Sequence, residues 1–182
     1  IDQFLRCGMS YDLSKAIAIR AMTHAENAYA IPHTLITAHL CQTNTPSNTA
    51  FRGFGGPQGM IGIEQIIDKI AVHLDKDPIE VRKLNYYPDY EVETPQSTPY
   101  GQIVKDGLLT KITNELLKTA DYHTRRQQIN EYNETNPVLR RGLGFVPVKF
   151  GISFNRTMLN QAGALVHVYS DGSVHLNHGG TE

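Results

Sequence analysis

The chain has 182 residues, 40% of them hydrophobic and 19% charged, with a formal net charge of −1. That length can bury a core as one large domain or two small ones, and the composition belongs to globular rather than disordered chains. The near-neutral balance argues against a nucleic-acid surface, which needs clustered Lys and Arg, and no apolar run approaches the roughly 20 residues that cross a bilayer.

Residues 12–29, "DLSKAIAIRAMTHAENAY", are Ala-rich without Gly or Pro and predict a helix to about Asn27, with Ser14 as its N-cap and Pro32 beyond its end. The β-branched run 34–43, "TLITAHLCQT", predicts a strand. A glycine-rich loop follows, and then Ile63, Ile66, Ile67, Ile70 and Leu74 recur at helical spacing over 61–75. Asp77 and Pro78 have the chemistry of a cap and a first helical turn, so a second helix starts there. Residues 89–101, rich in Pro, Thr and Ser, read as an exposed connector between segments 1–88 and 102–182. Helical patterns over 104–118 and 121–134 come next, the second polar enough to lie on the surface. Two strand patterns, 165–169 and 174–177, flank Ser170-Asp171-Gly172-Ser173 and predict a hairpin. The fold class expected is α+β, mixed helices and antiparallel strands. The chain opens on "IDQFLRCG" without a methionine and closes on "HGGTE" directly after a strand pattern, so it reads as a piece of a longer chain.

Several motifs can be set against their chemistry. Four glycines between Gly53 and Gly59 stand between a strand and a helix, but their spacing is G-x-G-G-x-x-G with Pro57 inside, and no second βα unit completes a dinucleotide fold. No Gly-Lys-Ser/Thr is present, so a P-loop fails. The glycines either supply positive φ for a tight turn or let a phosphate- or oxo-bearing cofactor approach a helix N-terminus. The eight histidines have no metal-ligand spacing, and no metal site is expected. Cys7 and Cys41 are too few and too far apart in sequence for a disulfide framework, which makes a reducing, cytoplasmic setting the default.

The stretch "QTNTPSNTAFRGFGGPQGM" (42–60) resembles the molybdenum-cofactor-binding part of the xanthine dehydrogenase/oxidase family. So do "DLSKAIAIRAMTHAENAYAIPH" (12–33), "KFGISFNRTMLNQAGALVHVYSDGSV" (149–174) and "HGGTE" (178–182), in the same order over nearly the whole chain. The resemblance implies part of a molybdopterin-binding large chain, with 2Fe-2S clusters and FAD on other domains or subunits of an oligomeric enzyme. It implies that Arg52, with Gly53 and Phe54, lies by the cofactor. It makes Phe54 and Phe154 the two aromatic walls for a flat heterocycle and Arg20 the catalytic and substrate-binding arginine of purine-oxidising members. Asn155 stands where many relatives carry threonine, so an amide takes the place of a hydroxyl at the substrate. The family's general base, a glutamate near the end of the full chain, has no match here, and Glu182 is not that residue. The activity implied is oxidation of hypoxanthine and xanthine to urate with oxygen from water, in purine catabolism, with neither nucleic acid nor membrane as partner. Oxidation of aldehydes or other N-heterocycles on the same fold, and a cofactor-free assembly module, are the rival readings. The isolated 182-residue piece is expected to be inactive.

Overall fold

The computed structural model describes residues 1–88, 96–105, 107–155 and 157–180. They form two compact units, Ile1–Phe150 and Gly151–Glu182. The first unit contains strand β1 (Asp2–Gly8), helix α1 (Ser14–Thr23), strand β2 (Thr37–Gln42) and helices α2 (Gly56–His73), α3 (Pro78–Leu84), α4 (Leu109–Thr119) and α5 (Tyr122–Thr135). The second contains a short 3₁₀ turn (Thr157–Leu159) and strands β3 (Ala164–Val168) and β4 (Val174–His178). Mixed helices and strands are as the pattern predicts.

The two sheets differ in sense. β1 and β2 pair in parallel, Asp2 opposite Thr37 and Leu5 opposite Leu40, with a register shift between Arg6 and Gly8. Antiparallel pairing, expected throughout, therefore holds, among the described strands, for β3 and β4, which run Ala164 opposite His178 to Val168 opposite Val174. Their turn is closed by Asp171, whose Oδ1 accepts from the Ser173 amide at 2.9 Å and hydroxyl at 2.7 Å, with Gly172 at φ +85°. Those bonds to the ionised form hold the Asp171 carboxyl below its ordinary pKa.

α1 is shorter than its composition predicts. It stops at Thr23, and neither Ser14 nor any other side chain caps its start. From there the chain descends in tight i→i+3 turns, with Asn27 N–H bonding His24 O at 3.0 Å and Tyr29 N–H bonding Glu26 O at 3.1 Å. Asn27 sits at φ +49°, a left-handed conformation that asparagine tolerates better than most residues. Its buried side chain explains the cost. The amide donates to Glu64 Oε1 at 2.7 Å and Pro147 O at 2.8 Å and accepts from the Lys149 N–H at 3.2 Å.

α2 starts earlier than predicted, inside the glycine loop, with Pro57 in its first turn. Its buried face is Gly56, Gly59, Met60, Ile63, Glu64, Ile67 and Ala71, whereas Ile66, Ile70 and Leu74 are exposed. The core joins Ile63, Ile67 and Ala71 to Tyr29, Val81 and Tyr86. α3 is capped as the sequence predicts, Asp77 Oδ1 accepting from the Ile79 N–H at 2.8 Å. Of the expected connector, residues 89–95 lie outside the described residues; Ser97 and Ile103 bridge across a tight turn with Gly101 at φ +86°. The helix predicted from 104 begins at Leu109.

Candidate functional site

The loop before α2 is built from three residues of positive φ in succession, Gly53 at φ +93°, Phe54 at φ +51° and Gly55 at φ +101°. Phe54 N–H bonds Phe51 O at 2.8 Å, and Gly56 N–H bonds Gly53 O at 2.9 Å. Two of the glycines serve packing between helices. A Cβ on Gly55 would lie 2.3 Å from Ile17 O, and one on Gly59 would lie 2.1 Å from Ala21 O. Their lack of a side chain lets α2 rest directly on the backbone of α1. That close approach sets the loop beside the last turn of α1.

Arg20 projects from that turn. It is 7% exposed, and its guanidinium carbon lies 5.9 Å from the Phe54 ring centre and 5.2 Å from that of Phe150. Burial lowers the Arg20 pKa, although an arginine remains protonated in proteins. One turn on, His24 is buried and its ring tilts against Phe150 with centres 4.7 Å apart. The His24 Nδ1–H donates to Arg20 O at 2.7 Å, since a carbonyl can only accept. Desolvation pushes the His24 pKa down; the Arg20 carbonyl bond opposes this, and the Arg20 and Lys149 charges add to it.

The sequence-predicted residues thus divide. Arg20 and Phe54 come together, half-buried Phe54 on the loop and buried Arg20 on the helix. Arg52 and Gly53 lie in the same turn, Arg52 exposed and Gly53 half-buried. Phe154 and Asn155 belong to the second unit, where both are half-buried. There the Phe154 backbone is clamped by one side chain, its N–H bonding Asn160 Oδ1 at 2.8 Å and its carbonyl accepting from Asn160 Nδ2 at 2.7 Å. Ser153 just before it stands at φ +91°, a strained value for a residue with a Cβ. Sequence reasoning missed Phe150 and His24. His24 sits at i+4 from Arg20, a helical spacing that could have marked it; Phe150 carries no local signal.

A groove of about 280 Å³ bounded by Cys7, Gly8, Met9, Ser10, Tyr11, Leu40 and Gln42 lies apart from these residues in sequence and includes none of them. Cys7 and Cys41 are both thiols. Among the described residues no group of His, Cys, Asp and Glu could hold a metal ion, and no helix is long and apolar enough to cross a membrane.

Comparison with known proteins defines the class. Two family models, both described as molybdopterin cofactor-binding domain, match residues 1–86 and 115–182. The chain belongs to that family. It is 44% identical to the xanthine dehydrogenase of Dictyostelium discoideum over 182 residues, all of this chain and 13% of the relative. It is 46% identical to the xanthine dehydrogenase/oxidase of Gallus gallus over 182 residues, again all of this chain and 13% of the relative. With xanthine dehydrogenase 1 of Arabidopsis thaliana it shares 46% identity over 175 residues, 96% of this chain and 12% of the relative. The chain therefore spans about one-eighth of the length of these relatives. Among solved structures, the aldehyde oxidoreductase of Desulfovibrio gigas superposes with a TM-score of 0.66 at 21% identity, over 96% of this chain and 18% of that one. That of Desulfovibrio desulfuricans gives 0.63 at 21% identity with the same coverage, a likeness of fold.

Proposed function

We propose that this chain is part of a xanthine dehydrogenase-like molybdenum hydroxylase that oxidises hypoxanthine and xanthine to urate with oxygen from water. The observation that carries the reading is a buried arginine beside the aromatic residue of the glycine loop, Arg20 and Phe54, 5.9 Å from guanidinium carbon to ring centre. A planar, carbonyl-rich heterocycle suits that pair. A ring face offers stacking, and a fork of N–H donors matches carbonyl oxygens better than an ammonium does. As a nucleophile adds to the heterocycle, negative charge builds on those oxygens, and a preorganised cation stabilises it.

The residues at the start of α2 fit a molybdopterin. Gly55, the N-cap, has no side chain to fill the space before the helix, and the exposed Arg52 adds a cation in the same loop. Close approach to the backbone and positive charge are what an anionic pterin group requires. Arg52, Gly53 and Phe54 would hold it. When bound, it supplies two-electron oxidation of a ring carbon. The chain's own residues bind and orient: Arg20 polarises the substrate, and Phe54 stacks on it. Phe154 and Asn155 are assigned to the substrate on the family resemblance, the Asn155 amide replacing a hydroxyl. FAD and iron–sulfur clusters on the remainder of a longer, oligomeric protein would carry the electrons away, in the cytoplasm and within purine catabolism.

Arg20→Leu in the full-length enzyme tests this. Loss of one charge-stabilising donor typically costs about 10²–10³-fold in turnover. Purine kcat/KM is expected to fall by that order while aldehyde kcat/KM falls far less. An equal fall for both substrates would favour the aldehyde-oxidising alternative and end the assignment of Arg20 to the purine.

A further inference from the structure

The run Pro147–Phe150 has no regular secondary structure, yet the first unit holds it firmly. Asn27 grips its backbone on both sides, donating to Pro147 O at 2.8 Å and accepting from the Lys149 N–H at 3.2 Å. The Lys149 ammonium pairs with the carboxylate of Glu26, which is 1% exposed. Two rings flank that ammonium, Tyr87 at 5.2 Å and Tyr100 at 5.3 Å to their centres. Burial, then the Glu26 charge and the neighbouring Tyr100, push the Tyr87 pKa up, so the phenol stays neutral beside this pair. The whole arrangement works as a clasp that fixes residue 149.

What the clasp delivers is the next side chain. The Phe150 ring lies against Gly56, where an added Cβ would come within 2.4 Å of Cε2. It meets His24 at 4.7 Å and stands 5.2 Å from the Arg20 guanidinium carbon. At 38% exposed it is not a core ring. A ring only partly buried, seated on a glycine and facing a buried cation is well placed to orient that cation.

We infer that Phe150 is a positioning residue for Arg20, held in place by the Asn27 and Glu26–Lys149 clasp, and that it thereby tunes recognition of a carbonyl-rich heterocycle. The inference rests on the purine reading for its kinetic consequence but not for its structural one. Removing the ring takes away one contact that fixes the guanidinium, so the substrate must do more to order it on binding. The loss therefore falls on KM for the heterocycle more than on kcat.

The test uses the full-length holoenzyme with Phe150→Leu, which removes the ring, and Phe150→Tyr, which retains it. The Leu variant is expected to raise purine KM about threefold to thirtyfold, the range of one cation–ring contact, with a smaller change for an aldehyde; Tyr restores the parent value. Crystal structures of parent and Leu variant give a readout independent of activity: the Arg20 guanidinium moves or loses order while the α1 backbone stays in place. An unmoved Arg20 with an unchanged purine-to-aldehyde KM ratio overturns the inference. If the parent enzyme ignores purines, the functional reading falls, and the crystal comparison alone still decides the positioning role. Should the Leu variant fail to fold, Lys149→Met, which opens the clasp and keeps the ring, serves in the same comparison: a displaced Phe150 with displaced Arg20 supports the inference, and an undisturbed Arg20 overturns it.

Discussion

His24 is an imidazole enclosed by a cation, a ring and its own helix carbonyl, and its protonation matters to the segment that carries Arg20. Burial first, with the Arg20 and Lys149 charges behind it, holds its folded pKa below the ordinary value. The sign follows from linkage. An unfolded chain binds a proton on this residue near pH about 6.5, whereas the folded chain resists it. The stabilisation is complete above that pH and is lost as pH falls toward the folded pKa. Hydrogen exchange of amides 20–29 in the full-length protein, corrected for intrinsic rates, is expected to lose protection between about pH 7 and about pH 5. His24→Gln should flatten that loss. A His24→Gln protein with the same acid response as the parent would mean that another group titrates there. Asn27 poses a different residue-scale lesson: its identity reads from sequence as one more helical position, and only three distant partners, Glu64, Pro147 and Lys149, reveal why the helix ends before it.

The helices are joined by polar ties as much as by apolar contact. Glu64 on α2 accepts from Arg82 of α3 through Nε at 3.0 Å and Nη2 at 2.8 Å, and from Tyr29 OH at 2.7 Å, while Arg82 also pairs with Asp68 at 2.8 Å. Burial would lower the Arg82 pKa, but the hydrogen bonds it donates to Asp68 and Glu64 outweigh this and raise it. Arg82→Met leaves a buried carboxylate without its cation, a change that costs about 3–5 kcal/mol. Slowly exchanging amides of α2 and α3 should open more easily by that order. An unchanged opening free energy would mean the network adds nothing to the packing of Tyr29, Ile63 and Val81. Asp77 plays a comparable part between α3 and α5, capping one helix while accepting from Tyr122 OH at 3.0 and 2.9 Å. Burial and that carboxylate push the Tyr122 pKa up to about 12. Some of this was legible in advance. Asp77-Pro78 announced α3 because capping chemistry is local, and Asp171-Gly172 announced the hairpin for the same reason. The stripe predicted on α2 holds for Ile63 and Ile67 but not for Ile66, Ile70 and Leu74, since a hydrophobic period cannot see that Gly56, Gly59 and Glu64 face inward. Strand β1 was missed because its order comes from parallel pairing with β2, some 35 residues downstream.

At the scale of the molecule, the chain leaves large apolar side chains exposed on several elements: Ile66 and Ile70 on α2, Ile112 and Leu116 on α4, Leu165, Val166 and Leu176 on the hairpin. Large apolar side chains left exposed in this number suit contact with other protein surface better than solvent. This accords with a chain that spans 13% of relatives such as the xanthine dehydrogenase of Dictyostelium discoideum. The candidate site follows the same logic. Arg20, Arg52 and Phe54 could be named from their likeness to a family, but one of the rings against Arg20 is Phe150, 130 positions away, which no local pattern marks. On the proposed function, this fold serves a purine-oxidising molybdenum enzyme. The most direct measurement is molybdenum and pterin content of the purified full-length protein together with its turnover of xanthine. Near-stoichiometric molybdenum with urate as product, its added oxygen labelled from water, is the predicted result; a fully loaded enzyme that leaves xanthine untouched would contradict it.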